Sequence, residues 1–364
     1  MSKVKYVKTI CRSCHGGCGV IAHVKSGKVV KVEGDPDSPI SHGSLCSKGL
    51  AITQLAYHPD RVLYPMKKDQ RGWQRISWDE ALDTVTEKFQ EVRDQYGSES
   101  ILIGQGTGRD FESHFSRFGN LLGTPNMITA GHMCYLSRIA ATLTTCGRHP
   151  AIDYAGNPEC IVMWGCNPLW TNPDEYKGVS FWNAYQKGAK LIVIDPRKGF
   201  LAKKADVWLQ VRPGTDAALA MGFHHVIIEE GLYDENFVSE YIHGWDAFVE
   251  RVRKDYPLDR VEKITWVKQD LIRKAARLYA TTKPAGIHWG VPTEQTNNCI
   301  DFTRAAVGLM AATGNLDVPG GNVFHQPPGT RSIAEFSSHR SLSPEQRAKQ
   351  LGGDTYKLAS RMTI

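Results

Sequence analysis

Nine cysteines are spread over 364 residues, and four of them are grouped where they can do chemistry together. Cys11, Cys14 and Cys18 form a C-x2-C-x3-C run, and Cys46 follows after a stretch that must return the chain to the same place. Four thiolates from two segments suit a 4Fe-4S cluster, which takes one per iron. Zinc also takes four, usually as two close pairs that each chelate the ion. Two disulfides would satisfy the count as well. The three-plus-one grouping fits a cube better than a single ion, and a disulfide framework is out of keeping with a large chain showing no export signal. Gly16, Gly17 and Gly19 lie between or beside the thiols, where a tight wrap needs unusual backbone angles. Lys48, two residues past Cys46, would lower the cost of burying an anionic cluster. The alternative is an ordinary surface lysine.

A second set of polar residues stands at the ends of apolar runs. Residues 160–164, 190–194 and 207–212 read as buried strands with helices between them, which indicates a parallel sheet covered on both faces. Ligands in such folds sit beyond the carboxyl ends of the strands. Those ends are Gly165-Cys-Asn-Pro168, Asp195-Pro-Arg197 and Pro213-Gly-Thr-Asp216. A carboxylate there can accept two donors from a ribose or a guanine edge, although Thr215 or Asp216 could simply cap the helix that follows. Three polar ends together favour a nucleotide site over three separate caps. Cys134, in Gly131-His-Met-Cys-Tyr135, reads by itself as a small buried apolar residue, as do Cys146, Cys160 and Cys299.

The positioning elements follow from patterning. Residues 20–24 and 28–32 form a hairpin about Ser26-Gly27, and 34–39 is a stiff loop leading back to Cys46. Ser77-Trp-Asp-Glu80 is a capping box opening a helix with Leu82, Val85, Phe89 and Val92 on one face. Residues 101–103 read as a strand. The turn after it, Gly104-Gln-Gly106-Thr-Gly108, lacks the G-x-G-x-x-G spacing of the nicotinamide fingerprint. A helix with Phe111, Phe115, Phe118 and Leu122 follows. Residues 270–280 and 301–313 read as helices, 285–290 as a strand, and 327–330 and 343–346 as loops.

Hydrophobic content of 41% with 23% charged residues is that of a soluble globular protein. A net charge of +6 without a Lys/Arg block excludes nucleic acid as the expected partner. No run reaches the ~18 apolar residues of a membrane span. The first ten residues carry neither an apolar signal core nor a twin arginine, so the expected location is the cytoplasm.

Taken in order, these features resemble the molybdenum or tungsten bis-pterin oxidoreductases of the dimethyl sulfoxide reductase superfamily. The likeness is carried by the four N-terminal cysteines, Cys46-Ser-Lys-Gly49, Arg61-Val-Leu-Tyr-Pro65 and Trp73-Gln-Arg-Ile-Ser-Trp-Asp-Glu-Ala-Leu82. It continues through Leu122-Gly-Thr-Pro-Asn126, Trp164-Gly-Cys-Asn-Pro168, Val193-Ile-Asp-Pro-Arg197, Arg212-Pro-Gly-Thr-Asp-Ala217 and Gly314-Asn-Leu-Asp-Val-Pro-Gly-Gly321. The resemblance implies an α/β protein: a small N-terminal β-rich 4Fe-4S subdomain, then α/β domains with a parallel Rossmann-like sheet. The domains would be 1–58 for the cluster, 59–145 with 285–325 for the pterin, 146–284 for the dinucleotide, and a truncated tail at 326–364. Cys11, Cys14, Cys18 and Cys46 would hold the cluster, with Lys48 on the electron path to the pterin. Cys166, Asn167, Asp195, Arg197, Gly214, Thr215 and Asp216 would bind a bis-molybdopterin guanine dinucleotide, and Cys134 would ligate Mo or W as a soft thiolate.

Two positions depart from members of that family. Tyr135 stands where formate dehydrogenases carry histidine, and His15 where acetylene hydratase carries aspartate. Catalytic subunits of the family are also considerably longer. The expected function is therefore two-electron oxo or hydroxyl transfer to a small-molecule substrate by a catalytic subunit or its N-terminal half. The expected partners are an iron-sulfur electron-transfer protein and a separate C-terminal half. The competing expectation is a non-catalytic iron-sulfur electron-transfer module or a degenerate fragment lacking the C-terminal half.

Overall fold

A computed structural model of the chain describes residues 3–14, 16–106, 111–129, 134–170, 177–324, 336–338 and 341–356. Contacts divide the chain into two compact units, one of 1–130 with 174–176 and 330–364, the other of 131–173 with 177–329.

The first unit opens with three antiparallel strands, β1 (Lys5–Ile10), β2 (Gly19–Lys25) and β3 (Lys28–Gly34), in the order β1-β2-β3. The β2–β3 hairpin is the one expected, with Gly27 taking φ +79° at its turn; β1, with Lys5 and Lys8 among its six residues, gave no strand signal. Val20 and Val32 pack with Cys11 into a small core. Next come the short helix α1 (Ser47–Leu50) and the hairpin of β4 (Met66–Asp69) with β5 (Gly72–Arg75). Helix α2 (Trp78–Tyr96) starts where the capping box puts it, with the Glu80 N–H donating to Ser77 Oγ at 3.0 Å. The first half of its apolar stripe is exposed, Leu82 by 58% and Val85 by 49%, whereas Phe89 and Val92 are half-buried and Phe89 meets Phe118 at 5.9 Å. Strand β6 (Ile103–Gln105) pairs in parallel with β7 (Met127–Thr129), and α3 (Glu112–Leu122) lies between them in sequence.

The C-terminal segment expected as loop and tail carries structure of its own. Ser343 and Gln346 form a reciprocal capping box on the helix Pro344–Ala348, and Pro344 sits near its start, where its missing N–H costs nothing. Within the first unit the segment packs on α3 and the residues after it: Asn120 Nδ2 donates to the Ser337 carbonyl and the Leu351 N–H to Asn126 Oδ1, each at 2.8 Å.

The second unit is built on the expected parallel sheet. A short antiparallel pair joins β8 (Ala151–Ile152) to a later segment. The main sheet contains β9 (Cys160–Trp164), β10 (Lys190–Ile194), β11 (Val207–Leu209) and β12 (Ala285–Trp289), in the order β11-β10-β9-β12. Residues 285–289 thus join the strands of 160–209 rather than the 59–145 segment with which they were expected to group. Alternation sends Cys160, Val162 and Trp164 to one face and Ile161 and Met163 to the other, all buried. The helices α4 (Leu136–Cys146), α5 (Lys177–Gln186), α6 (Asp216–Glu229), α7 (Gln269–Thr281) and α8 (Cys299–Ala312) belong to the same unit. Trp164 meets Phe223 and Phe302 edge-on at 5.8 and 4.9 Å. Among the described residues no helix is long and apolar enough to cross a membrane.

His224 on α6 is wholly buried, its Nε2 2.9 Å from the Ala305 carbonyl, and burial brings its pKa down from an ordinary 6.5 to about 4. The unfolded chain takes up a proton near pH 6.5 that the folded chain refuses until about pH 4, so stability falls as pH drops through that window. The loss levels off at ~3 kcal/mol below it. Unfolding midpoints measured from pH ~7 to ~4 should decline accordingly. In His224→Gln, which keeps a hydrogen bond to Ala305 without titrating, the decline should be shallower; an unchanged slope would exclude His224 as its source.

Candidate metal and cofactor site

In the first unit the four thiols are brought to one lobe by backbone closure. The Cys11 N–H donates to the Cys18 carbonyl at 2.8 Å, and the Gly16 N–H points at Cys14 Sγ at 3.4 Å. Gly17 turns between them at φ +62°. The loop after β3 brings Cys46 in: Gly43 donates to the Asp35 carbonyl at 2.9 Å, Asp35 to that of Gly19 at 2.9 Å, and Leu50 to that of Cys46 at 3.0 Å. All four cysteines are free thiols, so the alternative of two disulfides does not apply. The Cys18 thiol is held above its usual range by burial first and then by the charges of Cys11, Cys14 and Cys46, which places all four in mutual electrostatic range. Among the described residues, however, no three ligands stand at the spacing of one metal ion. Four free thiols on one lobe supply the donor set of a 4Fe-4S cluster, one per iron. Lys48 lies exposed on α1 beside Cys46; His15 lies outside the described residues.

Close approaches hold this lobe. A Cβ built on Gly34 would lie 2.0 Å from the Gly43 carbonyl oxygen, a backbone atom that cannot swing away. Gly34→Ala is therefore expected to spring the 35–46 loop from the sheet and remove Cys46 from the set. Iron per chain should fall well below the wild-type value; full iron retention would contradict this account of the lobe.

In the second unit the expected contacts gather at the carboxyl edge of the sheet. Chain order runs from β9 outward through β10 to β11, while β12 joins the opposite side of β9. The order therefore reverses between β9 and β12, the position at which such sheets open a crevice for ligands. The two exits approach so closely that a Cβ on Gly290 would lie 2.4 Å from the Gly165 carbonyl oxygen. Asn167 stands in the loop leaving β9. The Cys166 thiol turns inward, donating to the His288 carbonyl at 3.2 Å, and burial pushes its pKa up to about 12, leaving its backbone as the part available to a ligand. Asp195 accepts from the Arg197 N–H at 2.7 Å, while the Arg197 side chain is 85% exposed. Gly214 takes φ +80° with open space where a Cβ would stand, so its backbone is approachable. Thr215 Oγ1 donates to the Arg212 carbonyl at 2.7 Å instead of capping α6. Asp216 accepts from the Trp164 indole at 2.8 Å, and burial raises its pKa against that hydrogen bond.

Cys134 is partly buried in the turn that opens α4. One helical turn on, Arg138 reaches the exit of β12, where it pairs with Glu294, donates to the Trp289 carbonyl at 2.9 Å and lies 4.7 Å over the Trp289 ring. Arg138 Nε, Trp289 Nε1 and Glu294 Oε2 are buried without a hydrogen-bond partner among the described residues. Orphaned donors and an acceptor at a sheet switch point are what a polar heterocycle would satisfy, so the residues present fit a pterin. Arg138, Glu294 and Trp289 carried no recognisable motif. Their one sequence signal was the spacing of four between Cys134 and Arg138.

Residues 61–360 match the molybdopterin oxidoreductase family, and residues 4–58 match the molybdopterin oxidoreductase Fe4S4 domain. The chain is 37% identical over 371 residues to the acetylene hydratase of Syntrophotalea acetylenica, covering 98% of this chain and 49% of that protein. It is 35% identical over 279 residues to the dopamine dehydroxylase of Eggerthella lenta, covering 74% of this chain and 27% of that one. The solved structure of acetylene hydratase from Pelobacter acetylenicus superposes with a TM-score of 0.83 at 36% identity, over 96% of this chain and 49% of that one. The chain spans about half the length of the curated relatives it matches.

Proposed function

This chain belongs to the molybdopterin oxidoreductase family, and on that premise we propose that it works as a catalytic subunit, or the N-terminal half of one, moving an oxygen or hydroxyl group and two electrons to or from a small substrate. Membership implies a 4Fe-4S cluster and a molybdopterin-bound molybdenum or tungsten. The observation that carries the reading is the clustering at one sheet edge: the exits of β9 to β12, with orphaned polar atoms at Arg138, Trp289 and Glu294.

When bound, the pterin-dithiolene metal supplies the redox chemistry, and the protein contributes orientation and charge. Cys134 would hold the metal as a thiolate. The Gly214 backbone and the carboxylates of Asp195 and Asp216 would receive the guanine dinucleotide, with Cys166, Asn167, Arg197 and Thr215 lining the same edge. Cys11, Cys14, Cys18 and Cys46 would hold the cluster, and Lys48 would offset its charge on the electron path. An iron-sulfur partner would exchange single electrons with that cluster. Leu82 and Val85 on α2 present an exposed apolar surface that a further polypeptide segment could cover.

The similarity to acetylene hydratase favours a second reading, addition of water to an alkyne. His15, in place of the aspartate expected for a hydratase, weighs against it. Under anaerobic conditions a reduced viologen should be oxidised on addition of a catechol, sulfoxide or oxyanion from a substrate panel. Hydration of an alkyne without dye oxidation would overturn the proposal.

A further inference from the structure

Arg138 and Glu294 form an ion pair in the interior of the second unit, the Glu294 side chain with no exposure and that of Arg138 with 19%. Such a pair is a poor source of stability. Withdrawing two charges from water costs several kcal/mol per ion, and apolar residues of similar volume commonly do as well. Its position points to a different role. Arg138 stands one turn beyond Cys134, in the field of both the Cys134 and Cys166 thiols, and burial lowers its pKa only to about 10, so it stays charged. Glu294 ends the short helical turn that leaves β12. Three contacts strap the start of α4 to that turn: the ion pair, Arg138 to the Trp289 carbonyl at 2.9 Å, and Ser137 Oγ to the Glu294 carbonyl at 3.1 Å.

We propose that the Arg138–Glu294 pair is a positioning device for Cys134. It pins the turn carrying that thiol to the carboxyl edge of the sheet and fixes a positive charge beside it, so that the thiolate meets the metal in one orientation. This rests on the reading of Cys134 as the metal ligand. The planar guanidinium is needed because it serves a carboxylate, a carbonyl and an indole face at once, which an ammonium on a flexible stem does not.

The test uses anaerobically purified, cofactor-loaded protein in four forms: wild type, Arg138→Lys, the double variant Arg138→Met/Glu294→Leu, and Cys134→Ala. The double variant removes both charges together and leaves no buried ion unpaired, so it carries the test if Arg138→Lys folds poorly. Metal per chain, the electron paramagnetic resonance spectrum of the one-electron state and amide exchange over residues 135–141 of metal-free protein are measured. Arg138→Lys and the double variant should keep their iron, split or broaden the metal signal, weaken metal retention by about 10–100-fold, and exchange faster at 135–141. A spectrum, metal content and exchange rate superposable on wild type in both would overturn the positioning role. If Cys134→Ala leaves the metal signal unchanged, the ligand reading itself fails. If Cys134→Ala abolishes that signal while the other two variants match wild type, only the positioning proposal fails.

Discussion

Cys134→Ala is expected to abolish turnover and to strip molybdenum or tungsten from the chain while leaving its iron at the wild-type level. The thiol stands partly buried in the turn opening α4, and a soft sulfur ligand suits a metal already coordinated by dithiolene sulfur. Even residues that only support a metal ligand commonly cost 10–100-fold, so loss of the ligand itself should cost at least about 100-fold in activity. The iron serves as an internal control, because the four cysteines that would bind it belong to the other unit. Turnover and metal content at wild-type values in Cys134→Ala would remove this residue from the site. Cys160→Ala is the matching control: that thiol is buried in β9, and burial pushes its pKa up to about 12, which marks it as packing.

Cys46→Ala is expected to lose the cluster and the order of the lobe around it. The buried core there comprises little beyond Cys11, Val20 and Val32, too small to fold a three-stranded sheet and a 35–46 loop unaided. In such lobes the binding free energy of the metal is folding free energy, so one missing thiolate should cost structure as well as iron. The visible absorbance of the cluster should disappear, and limited proteolysis should cut within residues 10–50 while the parallel sheet of the second unit survives. A Cys46→Ala chain that retained four irons and resisted cleavage would show that Cys46 is not a ligand. Lys48→Met should spare iron content and slow electron transfer, which separates a charge effect from a structural one.

Much of this was legible because the signals are local. Residues 160–164 and 190–194 have no polar interruption, and both strands occur with those bounds. The cysteine lobe is local as well: its loops turn at Gly17, φ +62°, and close on Gly34, where a Cβ would meet the Gly43 carbonyl. What escaped depends on partners distant in sequence. Strand β12 pairs with β9 across more than a hundred residues, so nothing local assigned residues 285–289 to that sheet. Glu294 stands in no motif, and only the fold buries it against Arg138. The Ser343–Gln346 capping box was in plain view, but Pro344 made it look like a loop. On α2 the apolar periodicity correctly gave a helix, but periodicity reports a face without naming what covers it: Phe89 meets Phe118 while Leu82 and Val85 stay exposed.

The central claim is that one chain carries both a four-iron cluster and a pterin-bound heavy metal. Elemental analysis of anaerobically purified protein, combined with nucleotide release and a visible spectrum, tests it most directly. The account predicts four irons, molybdenum or tungsten in stoichiometric amount, and guanine nucleotide liberated on denaturation. Iron without either heavy metal would contradict the oxidoreductase reading and leave an electron-transfer module; zinc in place of iron would contradict the reading of the cysteine lobe as well.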